Sequence, residues 1–197
     1  MNTLKAEKRS MDVKAKKLRR EGFVTGNLFG REIEGSIPLK FIKKEIEALL
    51  KNSNKGSQVM LELDGKTYDA LIKEVDYNPL AHTVEEVDLQ ALVSNEMVHS
   101  VAEIILENEE LVVSGVLQDE LKEVAYKALP ADLVDKIKVN VAGMKIGDTL
   151  RVKDLEIAKN KNIHITTDME AVIATVTPVH NVVPETETAT EDTAEEK

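Results

Sequence analysis

"QVMLELDGKTYDALIKEV", residues 58–75, is the stretch on which the fold turns. Strand-forming residues stand on both sides of Asp64-Gly65, the dipeptide that best tolerates the two positive φ angles of a type I′ hairpin turn. Two antiparallel strands are therefore expected here, 58–63 and 66–75. Downstream, "TVEEVDLQALV" resumes as a further strand. Upstream, "IPLKFIKKEIEALLKNSNKG" places Phe41, Ile42, Ile46, Leu49 and Leu50 at helical spacing, and Gly56 closes the polar turn that follows. Before that, "FVTGNLFG" has strand-like residues punctuated by Gly26 and Gly30, where bends and close backbone approaches are cheap.

The stretch "KAKKLRREGFVTGNLFG", residues 14–30, opens on a dense run of positive charge. It reads as a short helix from Val13 to Glu21, capped by Ser10 or Asp12 and ended by Gly22. Leu18 is its one large apolar residue, with Ala15 on the same side, so it docks lightly and leaves most of its face to another partner.

Around Ser94 to Glu96 the character of the chain changes. "VHSVAEIILE", "LVVSGVLQ", "LKEVAYKAL", "DKIKVNVAGM", "DTLRVKDL", "NIHITTD" and "EAVIATVTP" are short strand patterns separated by turn signals. They indicate a second, mostly β domain whose one helical scrap lies near "PADLVD". Beyond Pro184 the acidic "ETETATEDTAEEK" contains no large apolar residue and is expected to be disordered. The organisation expected is thus 1–93, 94–182 and a tail at 183–197.

Composition narrows the function classes. The 197 residues carry a formal net charge of −10 and no cysteine. Disulfides, thiolate zinc sites and cysteine nucleophiles are therefore excluded, and a reducing compartment fits. No segment has the length and apolarity of a signal peptide or a membrane span, and a soluble cytoplasmic protein is expected. His82, His99, His164 and His180 are scattered singly without ligand spacing. No glycine-rich phosphate loop is present, and acidic pairs such as Glu85-Glu86 or Glu109-Glu110 are best read as solvated. The chain reads as a non-enzyme without cofactor or metal.

Charge is unevenly spread. Residues 1–20 contain eight Lys or Arg against two acids, and residues 1–93 sixteen against fifteen, which leaves −11 on the remainder. Lys14, Lys16, Lys17, Arg19 and Arg20 crowd into seven positions with no acid before Glu21, a self-repelling run that ion pairs along the helix do not relieve. An external polyanion would. An anionic membrane needs a larger apolar face than Leu18 supplies, so nucleic acid is favoured. Phe29 and Tyr77 are possible stacking faces, with core packing the commoner fate of each, and the hairpin beside the helix would make a β-platform with a cationic rim suited to a shallow RNA groove.

Taken together, "LKAEKR", "KKLRREGFVTGNLFG", "LIKEVDYNPLAHTVEEVDLQAL" and "GMKIGDTLRVKDL" resemble the two-domain form of bacterial large-subunit ribosomal protein twenty-five, the Ctc family of general stress proteins. The likeness runs in order over nearly the whole chain and stops at the acidic tail. It implies a mostly β fold with few helices: an N-terminal six-stranded β-barrel that binds 5S ribosomal RNA, then a second β-rich domain. The RNA-facing positions it implies are Arg9, Lys17, Arg19, Arg20, Phe29 and Asp88, and Lys14 and Lys16 join them on charge. The partners implied are 5S RNA and, through the second domain, neighbouring ribosomal proteins, with the free protein a monomer.

The chain departs from the family pattern at several of these positions. Thr25 stands where proline is usual, Phe29 where tyrosine is usual, and Leu89 where phenylalanine is usual. Asp76 and Glu86 replace a glutamine and a histidine, so two polar RNA-facing positions become acidic, which repels phosphate. Three readings stay open: Arg or Lys neighbours such as Lys73, itself counted among the RNA-binding candidates, neutralise these acids, this member binds 5S RNA loosely, or it binds a different partner, as a stress-related protein-interaction module only peripherally ribosomal would.

Overall fold

The computed structural model describes residues 2–178. The expected tail at 183–197 and His180 lie outside the described residues.

The first half comprises β1 (Asn2–Lys8), α1 (Ala15–Arg20), β2 (Phe23–Phe29), β3 (Ser36–Ile42), α2 (Lys43–Leu50), β4 (Gln58–Leu63), β5 (Lys66–Asn78) and β6 (Thr83–Ala91). The six strands close into a barrel in the order β1-β3-β2-β6-β5-β4. The β4–β5 hairpin forms as expected, with Leu63 opposite Lys66 and both turn residues at positive φ, Asp64 at 50° and Gly65 at 76°. Closure comes from parallel pairing of β1 with β4, Asn2 to Ala6 against Val59 to Leu63. Alternate residues point inward, so Leu4, Val24, Leu28, Leu39, Phe41, Val59, Leu61, Ile72, Val87 and Leu89 share one buried core. Burial of each such large side chain contributes about 1.5 to 3 kcal/mol.

One expectation is corrected here. Phe41 and Ile42 belong to a strand rather than to the helix that follows. Leu39 and Phe41 point inward at period two, pairing with Gly26 and Val24 of β2, and Pro38 within the segment cannot occupy a helix interior. The helix proper begins at Lys43 and covers the core with Ile46 and Leu49. The charged N-terminus, for its part, contains strand β1, whose alternation of buried Leu4 and Ala6 with exposed Lys5 and Glu7 is hidden among charges.

The second domain comprises β7 (Val98–Glu107), β8 (Val116–Asp119), β9 (Glu123–Ala128), β10 (Lys136–Asn140), β11 (Thr149–Arg151), β12 (His164–Ile165) and β13 (Val172–Thr177). They form two sheets, β10-β7-β9-β12 and β11-β13-β8. Ala102, Val124, Tyr126, Ile137, Val152, Leu155 and Ile173 are part of its core. The expected helical turn is present as a single 3-10 turn at Pro130–Asp132, and three more, unforeseen, lie at Glu109–Leu111, Val152–Asp154 and Glu156–Lys159. The strand expected from Leu111 onward begins only at Val116.

The two halves are joined by side chains as well as by the chain. From the loop after α2, the Asn54 amide donates to the Glu103 carboxylate (2.5 Å) and the Ser57 hydroxyl to Asp135 (3.2 Å). From β5, the Lys73 ammonium donates to the His99 carbonyl (2.8 Å). Gly56, at φ +89°, lies so close that a Cβ would stand 2.0 Å from the Val101 carbonyl oxygen.

Candidate nucleic-acid interface

Helix α1 is shorter than its sequence suggests, and neither Ser10 nor Asp12 caps it. The Ser10 hydroxyl donates to the Asp12 carboxylate (2.9 Å) and accepts the Asp12 amide (3.3 Å), making a tight local turn. Lys14 takes the N-cap position with extended backbone and no side-chain hydrogen bond. Gly22, at φ +88°, ends the helix as expected. Arg9 braces the approach: its amide donates to the Pro38 carbonyl (2.9 Å) and its guanidinium to the Val13 carbonyl (3.2 Å). The buried Nε of Arg9 has no partner.

Two side chains hold α1 against the barrel. Leu18 is buried. Arg19 turns inward rather than toward solvent: its guanidinium meets Glu85 at 3.0 Å and Glu86 at 3.4 Å, and its Nε donates to the Glu85 carbonyl at 3.1 Å. Thr25 is fully buried beneath it, its hydroxyl donating to the Glu85 carbonyl (3.3 Å) and accepting from Arg19 (3.4 Å). The cationic run is therefore not wholly unrelieved, a correction to the sequence reading. Arg19 is neutralised by acids from β6, and exposed Lys17 sits 3.9 Å from Glu21, a pairing worth only about 0.3 to 0.5 kcal/mol. Lys14, Lys16 and Arg20 are exposed and, among the described residues, have no ion-pair partner.

The neighbouring β-surface is not the cationic-rimmed platform expected. Parallel pairing of β2 with β6 sets Thr25 beside Glu86, Asn27 beside Asp88 and Phe29 beside Gln90. Antiparallel pairing with β5 then sets Asp76 opposite Glu86 and Glu74 opposite Asp88. The outward row is consequently acidic, because the side-chain alternation that sends Val87 and Leu89 inward sends Glu86 and Asp88 outward. The Asn27 amide group donates to Glu86 (3.3 Å) and Asp88 (3.1 Å), and its backbone N–H also donates to Asp88 (3.1 Å). Glu85 further accepts from Asn78 at 2.8 Å. Asn27 was not singled out from sequence, and the Glu85-Glu86 pair, read there as solvated, is instead half-buried and engaged by Arg19. Only the β2–β6 register, which no local pattern reveals, brings them to the site.

The aromatic candidates divide. Phe29 is half-buried between Ser36 and Gln90, whereas Tyr77 is 53 % exposed, with its hydroxyl 3.3 Å from His82 Nδ1, not packed in the core. Lys73 lies apart from α1. It occupies a bulge in β5 and is bonded to His99 of the second domain, so Arg19 rather than Lys73 is the cation that meets Glu86. Burial first, and the charge of Lys55 second, hold the Lys73 ammonium below the usual lysine range.

Fold and site define a two-domain β-protein that displays a short cationic helix on a closed barrel. Comparison with known proteins carries this further. The Ribosomal L25p family profile matches residues 4–89, and that of the Ribosomal protein TL5, C-terminal domain, matches residues 97–180. The chain is 31 % identical over 193 residues to a protein of Carboxydothermus hydrogenoformans named large ribosomal subunit protein bL25, covering 93 % of this chain and 95 % of that one. Proteins of the same name from Bacillus velezensis and Caldanaerobacter subterraneus are 29 % and 28 % identical, the alignments covering 90 % and 98 % of this chain and 89 % and 98 % of theirs. The chain belongs to the Ribosomal L25p family, which is not a family of enzymes.

Proposed function

We propose that this protein is a structural constituent of the large ribosomal subunit, cytoplasmic and engaged in translation, that binds 5S ribosomal RNA through α1 and the adjoining outer face of β2 and β6. The observation that carries the reading is the exposed trio Lys14, Lys16 and Arg20. Among the described residues these cations have no counter-charge, and they are held in place by Leu18 and Arg19 beneath them. With Lys17 they form a compact row for phosphate neutralisation. Arg19 and Arg9 act as positioning residues. Phe29 offers part of a ring face, and Asp88, bonded to Asn27 through one oxygen, keeps the other to accept a 2′-hydroxyl or an exocyclic amine. Lys73 takes no part in this surface.

The same reading sets the domain division at 93/94, between the end of β6 and the start of β7. The RNA role belongs to the first domain, and contacts with neighbouring ribosomal proteins belong to the second. The free protein is a monomer. The rival reading, a stress-related interaction module, rests on Asp76 and Glu86. Arg19 and Asn27 already engage Glu86, which leaves Asp76 as its main support.

The test is binding of 5S RNA to the full chain and to the Lys16→Glu, Lys17→Glu, Arg20→Glu variant across a salt series. The expected result is loss of binding with a native circular dichroism spectrum, and a wild-type salt slope of roughly one unit of log affinity per phosphate contacted. Undiminished affinity in a folded variant would sink the reading.

A further inference from the structure

The face of the second domain's larger sheet that meets the barrel is electrically polarised. Along β7 and β9, Glu103 stands opposite Glu123, Val101 opposite Ala125, and His99 opposite Lys127, and β12 adds His164 opposite Lys127. Directly opposed residues project from the same face. One end of this face therefore carries Glu103 and Glu123, with Lys136 of β10 beside Glu103, and the other carries His99, Lys127 and His164 in a row. At the first end, Asn54 bonds Glu103. At the basic end a cleft of about 190 Å³ stays open, walled by Lys55 and Lys73 from the barrel and by His99 and Ser100 from the sheet, over an apolar floor that includes Leu71 and Ala125.

Among the described residues no carboxylate lines this cleft, although the chain as a whole is strongly acidic. The groups within it oppose one another. Burial and Lys55 hold Lys73 down, and desolvation, then Lys127 and Lys73, hold the His99 imidazole below its usual range. One proton of the Lys73 ammonium goes to the His99 carbonyl, which leaves two donors. Such a concentration of positive charge, assembled from both domains, is stabilised by an anion that neither domain supplies.

We propose that this interdomain cleft is a phosphate-binding site, using Lys55, Lys73 and His99 as its donors, with Lys127 opposite His99 in the sheet. Two lysine side chains and an imidazole match a dianion better than a single carboxylate. The phosphate comes either as free inorganic phosphate or as the backbone of an RNA laid across the joint. The site is separate from α1 and stands whether or not α1 binds RNA.

The experiment is an NMR titration of the His99 imidazole in the full chain at constant ionic strength. It is run with sodium chloride alone, with inorganic phosphate, and with a short RNA duplex. The RNA arm uses the Lys16→Glu, Lys17→Glu, Arg20→Glu background, so that binding at α1 does not contribute. A bound phosphate raises the His99 midpoint by about one unit relative to chloride, since a nearby opposite charge favours the charged imidazole. The rise disappears in Lys55→Gln, Lys73→Gln protein, and the single Lys55→Gln variant, at an exposed position, diminishes it even if the double variant folds poorly. A rise with inorganic phosphate identifies the free anion, and a rise with RNA alone identifies the backbone. No rise with either, or a rise that survives both variants, overturns the proposal.

Discussion

At the scale of the residue, Arg19 shows how position in a charged run fails to reveal a side chain's task. Five cations looked alike in sequence, yet the fourth lies over Thr25 and faces Glu85 and Glu86. It converts what would be repulsive acids near an RNA surface into the anchor of the helix that carries the exposed cations. Replacing Arg19 with Ala leaves two half-buried carboxylates without their counter-charge. The expected cost is about 1 to 2 kcal/mol, allowing for partial solvent screening. RNA affinity falls further than the loss of one phosphate contact explains, because α1 loses its seat. Thermal melting and RNA binding of Arg19→Ala and Arg19→Lys check this, and a melting temperature unchanged by Arg19→Ala would refute the anchoring role.

At the scale of the element, two-fold periodicity was the reliable signal where strands were bounded by turns, as in the β4–β5 hairpin. It was misleading where a strand ran directly into a helix, because Phe41 and Ile46 satisfy strand and helix spacing in turn without a break. Strand β9 illustrates a tie beyond backbone pairing. The Tyr126 hydroxyl donates to the Val134 carbonyl (2.7 Å) and accepts from the Val134 amide (2.8 Å), binding β9 to the segment that leads into β10. Burial, the largest influence, raises the Tyr126 phenol above its usual value. The neutral form is therefore the one the fold favours. Its contribution is complete below the ordinary tyrosine value, near 10, and is lost as pH rises through the folded value. Tyr126→Phe is expected to cost about 1 to 3 kcal/mol by leaving the Val134 groups unpaired, and to flatten the loss of stability under alkali. Denaturant melts between pH 8 and 11 provide the comparison, and equal alkaline slopes for both proteins would count against it.

At the scale of the whole molecule, the joint decides whether the domains act as one body. Asn54, Ser57, Gly56 and Lys73 from the barrel all engage the second domain, and the contact at Gly56 leaves no room for a side chain. Gly56→Val should push the sheets apart and strain a left-handed backbone, leaving each core intact. The expected outcome is two calorimetric transitions in place of one and a larger radius of gyration by small-angle scattering. A variant with wild-type dimensions would mean the domains are not held by this contact.

The sequence by itself determined the mostly β architecture, the change of character near residue 94, the hairpin about Asp64-Gly65 and the cationic helix. All of these rest on periods, turn chemistry and charge within a few neighbouring residues. Family membership was legible in the same way, from motifs kept in order along the chain. Only the tertiary structure decided that Arg19 turns inward, that Glu86 is engaged and not repelling, that Tyr77 is exposed, and that Lys73 faces the second domain. Each of these depends on which residue stands across a strand pair or a domain joint, far away in sequence. Register and docking are settled by closure of the barrel and burial of its core, and no local pattern encodes the partner they bring.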